Sequence, residues 1–253
     1  MYTDRDTTIM MELLLGGSAF LLVLCGVLLS YIDPVWFKEV YVREDGIIET
    51  LTVLVLLGIS LLMFGRLFRL RNEKGKGFLL VLFLLGAFGL FGAGEEVSWG
   101  QRLWEIESTD FFLQHNAQGE TNLHNLVVKG EKLNKIIFSQ LLFIGITIYL
   151  LVLPLVYRRV EGFEKVIDDV LGIPIARKYQ VGAFGAMLLL TNMVTVGKGS
   201  ELLEFGSCMV FLLIFLYPAN KKVYAFTAKT KVADKPEKKE VFIAQSYAVK
   251  SIR

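Results

Sequence analysis

The chain has 253 residues, of which 54% are hydrophobic and 21% charged, and its mean hydropathy is +0.53. That is too apolar for an ordinary soluble domain of this length, and it indicates an integral membrane protein. The net charge of +2, with Lys and Arg gathered in short clusters beside apolar runs, excludes a nucleic-acid-binding module.

A bilayer core of roughly 30 Å takes about 20 apolar helical residues. Six runs approach that length: Leu13 to Ile32, Ile47 to Gly65, Gly77 to Gly94, Ile136 to Tyr157, Val181 to Val196 and Leu202 to Tyr217. The expected fold is therefore an all-α, polytopic integral membrane protein of six transmembrane helices. A membrane domain over residues 1–220 carries a short helical outer cap at 94–135 between spans three and four, followed by a charged cytoplasmic tail at 221–253. The first twelve residues mix both signs of charge and lead into a long run without a small-residue cleavage site, so the first run is expected to be retained as a helix. Cys25 and Cys208 fall inside apolar runs, where a thiol packs as a small hydrophobe, and no disulfide framework is expected.

Lys and Arg set the orientation. Arg66, Arg69, Arg71, Lys74 and Lys76 follow the second run, Arg158, Arg159, Lys165, Arg177 and Lys178 follow the fourth, and Lys221, Lys222, Lys229, Lys231, Lys235, Lys238 and Lys239 crowd the tail. With six spans these segments share one side, which the positive-inside rule assigns to the cytoplasm, so both termini are predicted to be cytoplasmic in a bacterial inner membrane. Residues 160–176 have an amphipathic helical period suited to the same interface.

Most of the acidic residues near span ends then fall at the other side. Glu44, Asp45 and Glu49 open the second span, Glu95 and Glu96 close the third, and Glu201 and Glu204 open the sixth. Between spans three and four, GEEVSWGQR and NLHN enclose both histidines, His115 and His124. Helical spacing allows Asp45 and Glu49, Glu201 and Glu204, and the set Glu95, Trp99 and Arg102 each to share a face. Helix dipoles account for acidic residues at N-termini but not for Glu95 and Glu96 at a C-terminal end, which need partners such as Arg102, Arg43, a histidine or a metal. Gly86, Gly89 and Gly92 predict close approach of another helix to the third span.

Two chemistries suit these residues. Glu95, Glu96 and His124 are the candidate catalytic groups, since a close carboxyl pair can keep a proton near neutral pH and serve as a general acid. Glu95, Glu96, Glu120, His124 and Glu204 are the candidate ligands of a divalent metal, with imidazole and carboxylate suited to zinc, iron or manganese. Neither a two-His zincin motif nor the Glu-x-x-His pairs of di-iron bundles is present. Asp45, Glu49, Arg102, His115, Asn116, Asn125 and Glu201 complete the expected polar site. In the structural alternative, Asn116, Gln118, Asn122, His124 and Asn125 simply hydrogen-bond a loop to the helix ends. The strings GEEVSWGQR and NLHN, within Glu44 to Asn125, resemble uncharacterised bacterial multi-pass membrane proteins, a resemblance that implies no activity. The seven-span metal hydrolases that include the alkaline ceramidases use a Ser, an Asp and three histidines, and two histidines in six spans depart from that pattern.

Three function classes remain: an enzyme acting at the outer leaflet on a membrane lipid or lipid-linked substrate, a cation or proton carrier, and a non-catalytic subunit that docks a membrane protein partner through its cap. Few ionisable residues lie deep in any run, which weighs against the carrier. Phe111, Phe112 and Leu113 are the candidates for a docking patch.

Overall fold

The computed structural model describes residues 4–123, 125–128, 131–132 and 141–225. They form an all-helical bundle, apart from one two-residue antiparallel ladder that pairs Val127 with Lys132 and Val128 with Glu131. Six helices carry the architecture: α1 (Asp4–Ile32), α2 (Ile47–Leu70), α3 (Lys76–Glu96), α4 (Leu142–Arg159), α5 (Lys178–Thr191) and α6 (Gly199–Leu216). Five of them, all but α5, are long and apolar enough to cross a membrane.

The boundaries follow local chemistry. Gly46 precedes α2, and the Glu49 carboxylate in its first turn accepts the Asp45 backbone N–H at 3.0 Å, which satisfies a donor at the helix start. Arg69 in the last turn complements the helix dipole. Gly197, Lys198 and Gly199 break the chain between α5 and α6, with Gly197 and Lys198 both at positive φ. The sequence places the fifth run at Val181 to Val196, yet α5 has only 14 residues, about 21 Å at 1.5 Å per residue. It ends where the Asn192 side chain turns back to the Leu188 carbonyl at 2.7 Å. Of the fourth run, the described helix begins at Leu142.

Helix α6 is the centre of the bundle, packed against α1, α2 and α5. Its Leu202, Phe205, Met209, Val210 and Ile214 are buried with Val23 and Val27 of α1 and with Val55 and Ile59 of α2. Helices α2 and α3 approach closely through the expected glycines: a Cβ on Gly89 would lie 3.0 Å from the Leu56 carbonyl oxygen, and one on Gly86 would lie 3.0 Å from the Phe64 ring. The outward faces are apolar. Leu61, Phe88 and Leu189 are all more than 60% exposed, which a water-facing surface would not favour and a lipid-facing one does.

The polar residues divide between the two ends. One end collects Glu49, Glu96, Glu201 and Glu204 with residues 97–128, and is called the acidic end below. The opposite, basic end carries Arg66, Arg69, Lys76 and Arg177. There the chain forms short helical turns over Phe163–Leu171, turns at Gly172, and runs extended through buried Ile175 and Ala176. The amphipathic period of 160–176 thus becomes a short helix followed by a buried strap. Tyr224 is also buried, its hydroxyl donating to the Gly172 carbonyl at 2.7 Å, so the folded part continues past residue 220.

Candidate functional site

The acidic end is built on a chain reversal. After α3, Ser98, Trp99 and Gly100 take φ values of 46°, 56° and 78°, three successive residues in the left-handed region. The turn folds the Trp99 ring back over Gly94, where any Cβ would meet it at 2.8 Å, and aims the Trp99 Nε1–H at the Glu95 carboxylate, 2.9 Å away. Glu95 and Arg102 therefore do not share a helix face, as their sevenfold spacing suggests. The helix has already ended between them, and Arg102 is brought back by the loop.

Arg102 is the hub. Its Nη2 pairs with Asp45 Oδ1 at 2.9 Å and Glu49 Oε1 at 3.2 Å, and donates to the Glu96 carbonyl at 3.2 Å. Nη1 pairs with Glu120 at 3.1 Å. One guanidinium fork thus joins the start of α2, the end of α3 and the cap. Burial works against its charge, but the carboxylates of Glu120, Asp45 and Glu49 outweigh that and hold its pKa above the ordinary value.

A second tier lies beneath. Ser98, fully buried, donates its hydroxyl to Glu120 and accepts from Asn122 Nδ2 at 2.9 Å. Asn122 also receives Asn116 Nδ2 on both its side-chain and backbone oxygens at 2.9 Å, while Asn116 Oδ1 accepts the backbone N–H groups of Gln118 and Glu120. Glu95, 4% exposed, accepts the Leu123 backbone N–H at 2.6 Å in addition to the Trp99 indole. Asn125 joins through its backbone N–H to Asn122 and through its amide to Gln118, which in turn bonds Glu44. Of the expected site, Asp45, Glu49, Glu95, Arg102, Asn116, Glu120 and Asn125 are therefore assembled into one network that ties the cap to the bundle.

Glu96 stands apart from its neighbour Glu95. Its carboxyl group lies close enough to the Glu204 carboxyl of α6 for the two to act on each other, and Glu49 and Glu201 are near enough to act on it electrostatically. Lys198, at the mouth of α6, acts on Glu201 and donates to the Val42 carbonyl at 3.5 Å. The carboxylates thus sort into two groups: Glu95 and Glu120 hold the cap, and Glu96, Glu204, Glu49 and Glu201 converge from three helices. His115 belongs to neither, because its Nδ1 is bonded to the Phe111 carbonyl of its own short helix and its ring stacks on Phe111. His124 lies outside the described residues. Among the described residues, no three His, Cys, Asp or Glu side chains form a group suited to a metal ion. Sequence reasoning missed Ser98 and Lys198: a serine between valine and tryptophan carries no spacing signal, and a lysine in a glycine-rich break is the ordinary composition of a turn.

The exposed side of the cap is apolar. Trp104, Ile106, Phe111 and Leu113 are all more than half exposed.

Fold and site together define an all-helical chain whose five long apolar helices are compatible with a multi-pass membrane protein, with a carboxyl cluster at one end of the bundle. No known protein family, curated protein or solved structure matches the chain.

Proposed function

We propose that this is a six-crossing membrane enzyme whose Glu96 and Glu204 act as an acid and base pair on the head group of a lipid or lipid-linked substrate at the outer face of a bacterial inner membrane. The observation that carries this reading is the convergence of two carboxyl groups from different helices, Glu96 of α3 and Glu204 of α6, near enough to act on each other. Two like charges held close disfavour each other, so such a pair keeps a proton more readily than a lone carboxylate does and offers a general acid beside a general base. The rim of Glu49, Glu201 and Lys198 supplies further polar contacts for a head group, and the Arg102 network holds the cap across the end of the bundle.

Six crossings are supported by the contacts of α5. Its Gln180 bonds Glu12 of α1 and the carbonyls of Leu213 and Tyr217 at the basic end, while Tyr31 at the far end of α1 donates to the Met193 carbonyl at 2.5 Å. The segment therefore reaches both ends of its neighbours although its helix is short, and Leu189 in its last turn presents an apolar, exposed side chain. With α5 as a crossing, the basic segments share one side and positive-inside sorting makes it cytoplasmic. The exposed Trp104, Ile106, Phe111 and Leu113 favour a second reading, in which the cap seats a membrane protein partner.

The test is head-group release from defined lipids by the purified, reconstituted protein, read by mass spectrometry. Glu96→Gln and Glu204→Gln are each expected to lower turnover by 100-fold or more. Turnover retained in both variants would overturn the assignment of the pair.

A further inference from the structure

At the basic end, Arg66 of α2 is 7% exposed, and its Nη1 has no hydrogen-bond partner among the described residues. It makes no ion pair among the described residues. The guanidinium lies over the Tyr224 ring, Cζ to centroid 4.1 Å. That stacking engages the flat face of the group and leaves the in-plane N–H donors unanswered, so the aromatic contact does not satisfy Nη1. Other cations gather around the same rings. Arg69 Nη2 donates to the Tyr224 carbonyl at 3.3 Å, and Lys74 Nζ sits 4.9 Å from the centroid of Phe78, whose ring is 5.9 Å from that of Tyr224. The carboxylate beside Tyr224, Asp168, is already held by Asn220 Nδ2 at 2.8 Å and the Tyr157 hydroxyl at 2.9 Å. A buried guanidinium with an unfilled donor and cationic neighbours calls for an anion with several acceptor oxygens.

Depth narrows the choice. Helix α2 has 24 residues, about 36 Å, against roughly 30 Å of hydrocarbon, so its last turn emerges into the head-group layer. Arg66 lies four residues, about 6 Å, before that end. Its backbone therefore lies just inside the hydrocarbon boundary, a depth from which an arginine side chain reaches up to the lipid phosphates.

We propose that Arg66, with Arg69 and Lys74, forms a phosphate-binding site that holds the head group of an anionic phospholipid at the basic end of the bundle. The site is independent of the carboxyl pair at the opposite end.

The experiment uses the full chain in neutral detergent and follows thermal unfolding by tryptophan fluorescence. The additions are phosphatidylglycerol, phosphatidylcholine or inorganic phosphate. Phosphatidylglycerol is expected to raise the midpoint saturably and phosphatidylcholine to do so only weakly. Arg66→Gln should raise the half-saturating phosphatidylglycerol concentration about tenfold, equivalent to about 1.4 kcal/mol. If inorganic phosphate reproduces the saturable rise, the phosphate site stands with a free ligand and the lipid assignment is overturned. Should Arg66→Gln fail to fold, Arg69→Gln, an exposed position, is expected to raise half-saturation about threefold. Lys76→Gln, a cation at the same end outside the cluster, should leave it unchanged. An equal shift in Lys76→Gln would reduce the effect to general surface attraction, and no saturable response to phosphatidylglycerol or phosphate in the wild type would overturn the proposal outright.

Discussion

Replacing Arg102 by Gln should loosen the cap without unfolding the bundle, and the size of the effect can be worked from its partners. The Asp45 side chain is 59% exposed, so its ion pair contributes close to nothing. Glu49 and Glu120 are far less exposed, at 11% and 17%, but Arg102 itself is 26% exposed, so screening keeps each of these charge-assisted pairs near about 1 to 1.5 kcal/mol. The variant should therefore lose about 2 to 3 kcal/mol of local stability. Hydrogen exchange read by mass spectrometry measures this directly. The amides of Thr121, bonded to Gln101 Oε1 at 2.7 Å, and of Leu123, bonded to Glu95, should exchange about 30 to 150 times faster, while amides in the middle of α2 and α3 keep their protection. Arg102→Lys should recover part of the loss, since one ammonium cannot reproduce the fork. Cap amides that exchange as in the wild type, or an equal loss across the spans, would refute the view that Arg102 fastens the cap to the helix ends.

The remaining predictions concern packing, topology, ionisation and metal content. Gly89→Val should lower stability by about 1 to 3 kcal/mol in detergent unfolding, because its side chain must displace the Leu56 backbone, whereas Gly145→Val, with nothing within 4 Å of a Cβ, should be near neutral; equal effects would remove the close-approach argument. A cysteine at Gln118 or Gly197 should react with an impermeant reagent from outside while a reporter fused after Lys221 stays cytoplasmic; opposite sidedness of Gln118 and Gly197 would eliminate the crossing by α5. Burial pushes the Tyr41 hydroxyl up to about 12, so its neutral form, which donates to the Leu22 carbonyl, contributes stability that is present below pH 10 and lost as pH rises toward 12. Tyr41→Phe should abolish that alkaline component of the unfolding profile, and an unchanged profile would assign it elsewhere. Elemental analysis should find zinc, iron and manganese substoichiometric in the wild type; near-stoichiometric metal lost on His124→Ala would replace the carboxyl-pair reading with a metal site.

Much of the bundle was legible because hydrocarbon-length apolar runs have few alternative fates. The starts of α2 and α3 fall within a residue of those expected, and the glycines at 86, 89 and 92 mark the helix contact they foretell. The fifth run was read too long because Val194 and Val196 continue its apolar composition beyond the point where Asn192 ends the helix. The convergence of Glu96 and Glu204 could be anticipated from topology alone, since Glu96 closes the third run and Glu204 opens the sixth, which puts both at the same end of the bundle. What spacing could not show was the division of labour between Glu95 and Glu96. Adjacent residues on a helix point about 100° apart, so one turned to the cap and the other to α6. The left-handed conformation of Ser98 and Trp99 was equally hidden, as neither residue type favours it and only the surrounding packing imposes it.

The central position of α6 has a consequence for biogenesis. The helix that buries the faces of α1 and α2 follows them in the chain, and it carries Glu201 and Glu204. During synthesis α2 and α3 can pair through their glycines, but the faces of α1 and α2 that α6 covers stay exposed to lipid until α6 has been inserted. Chains interrupted before Gly199 would therefore be only partly packed and chemically incomplete. Quality control that recognises loosely associated helices would remove them.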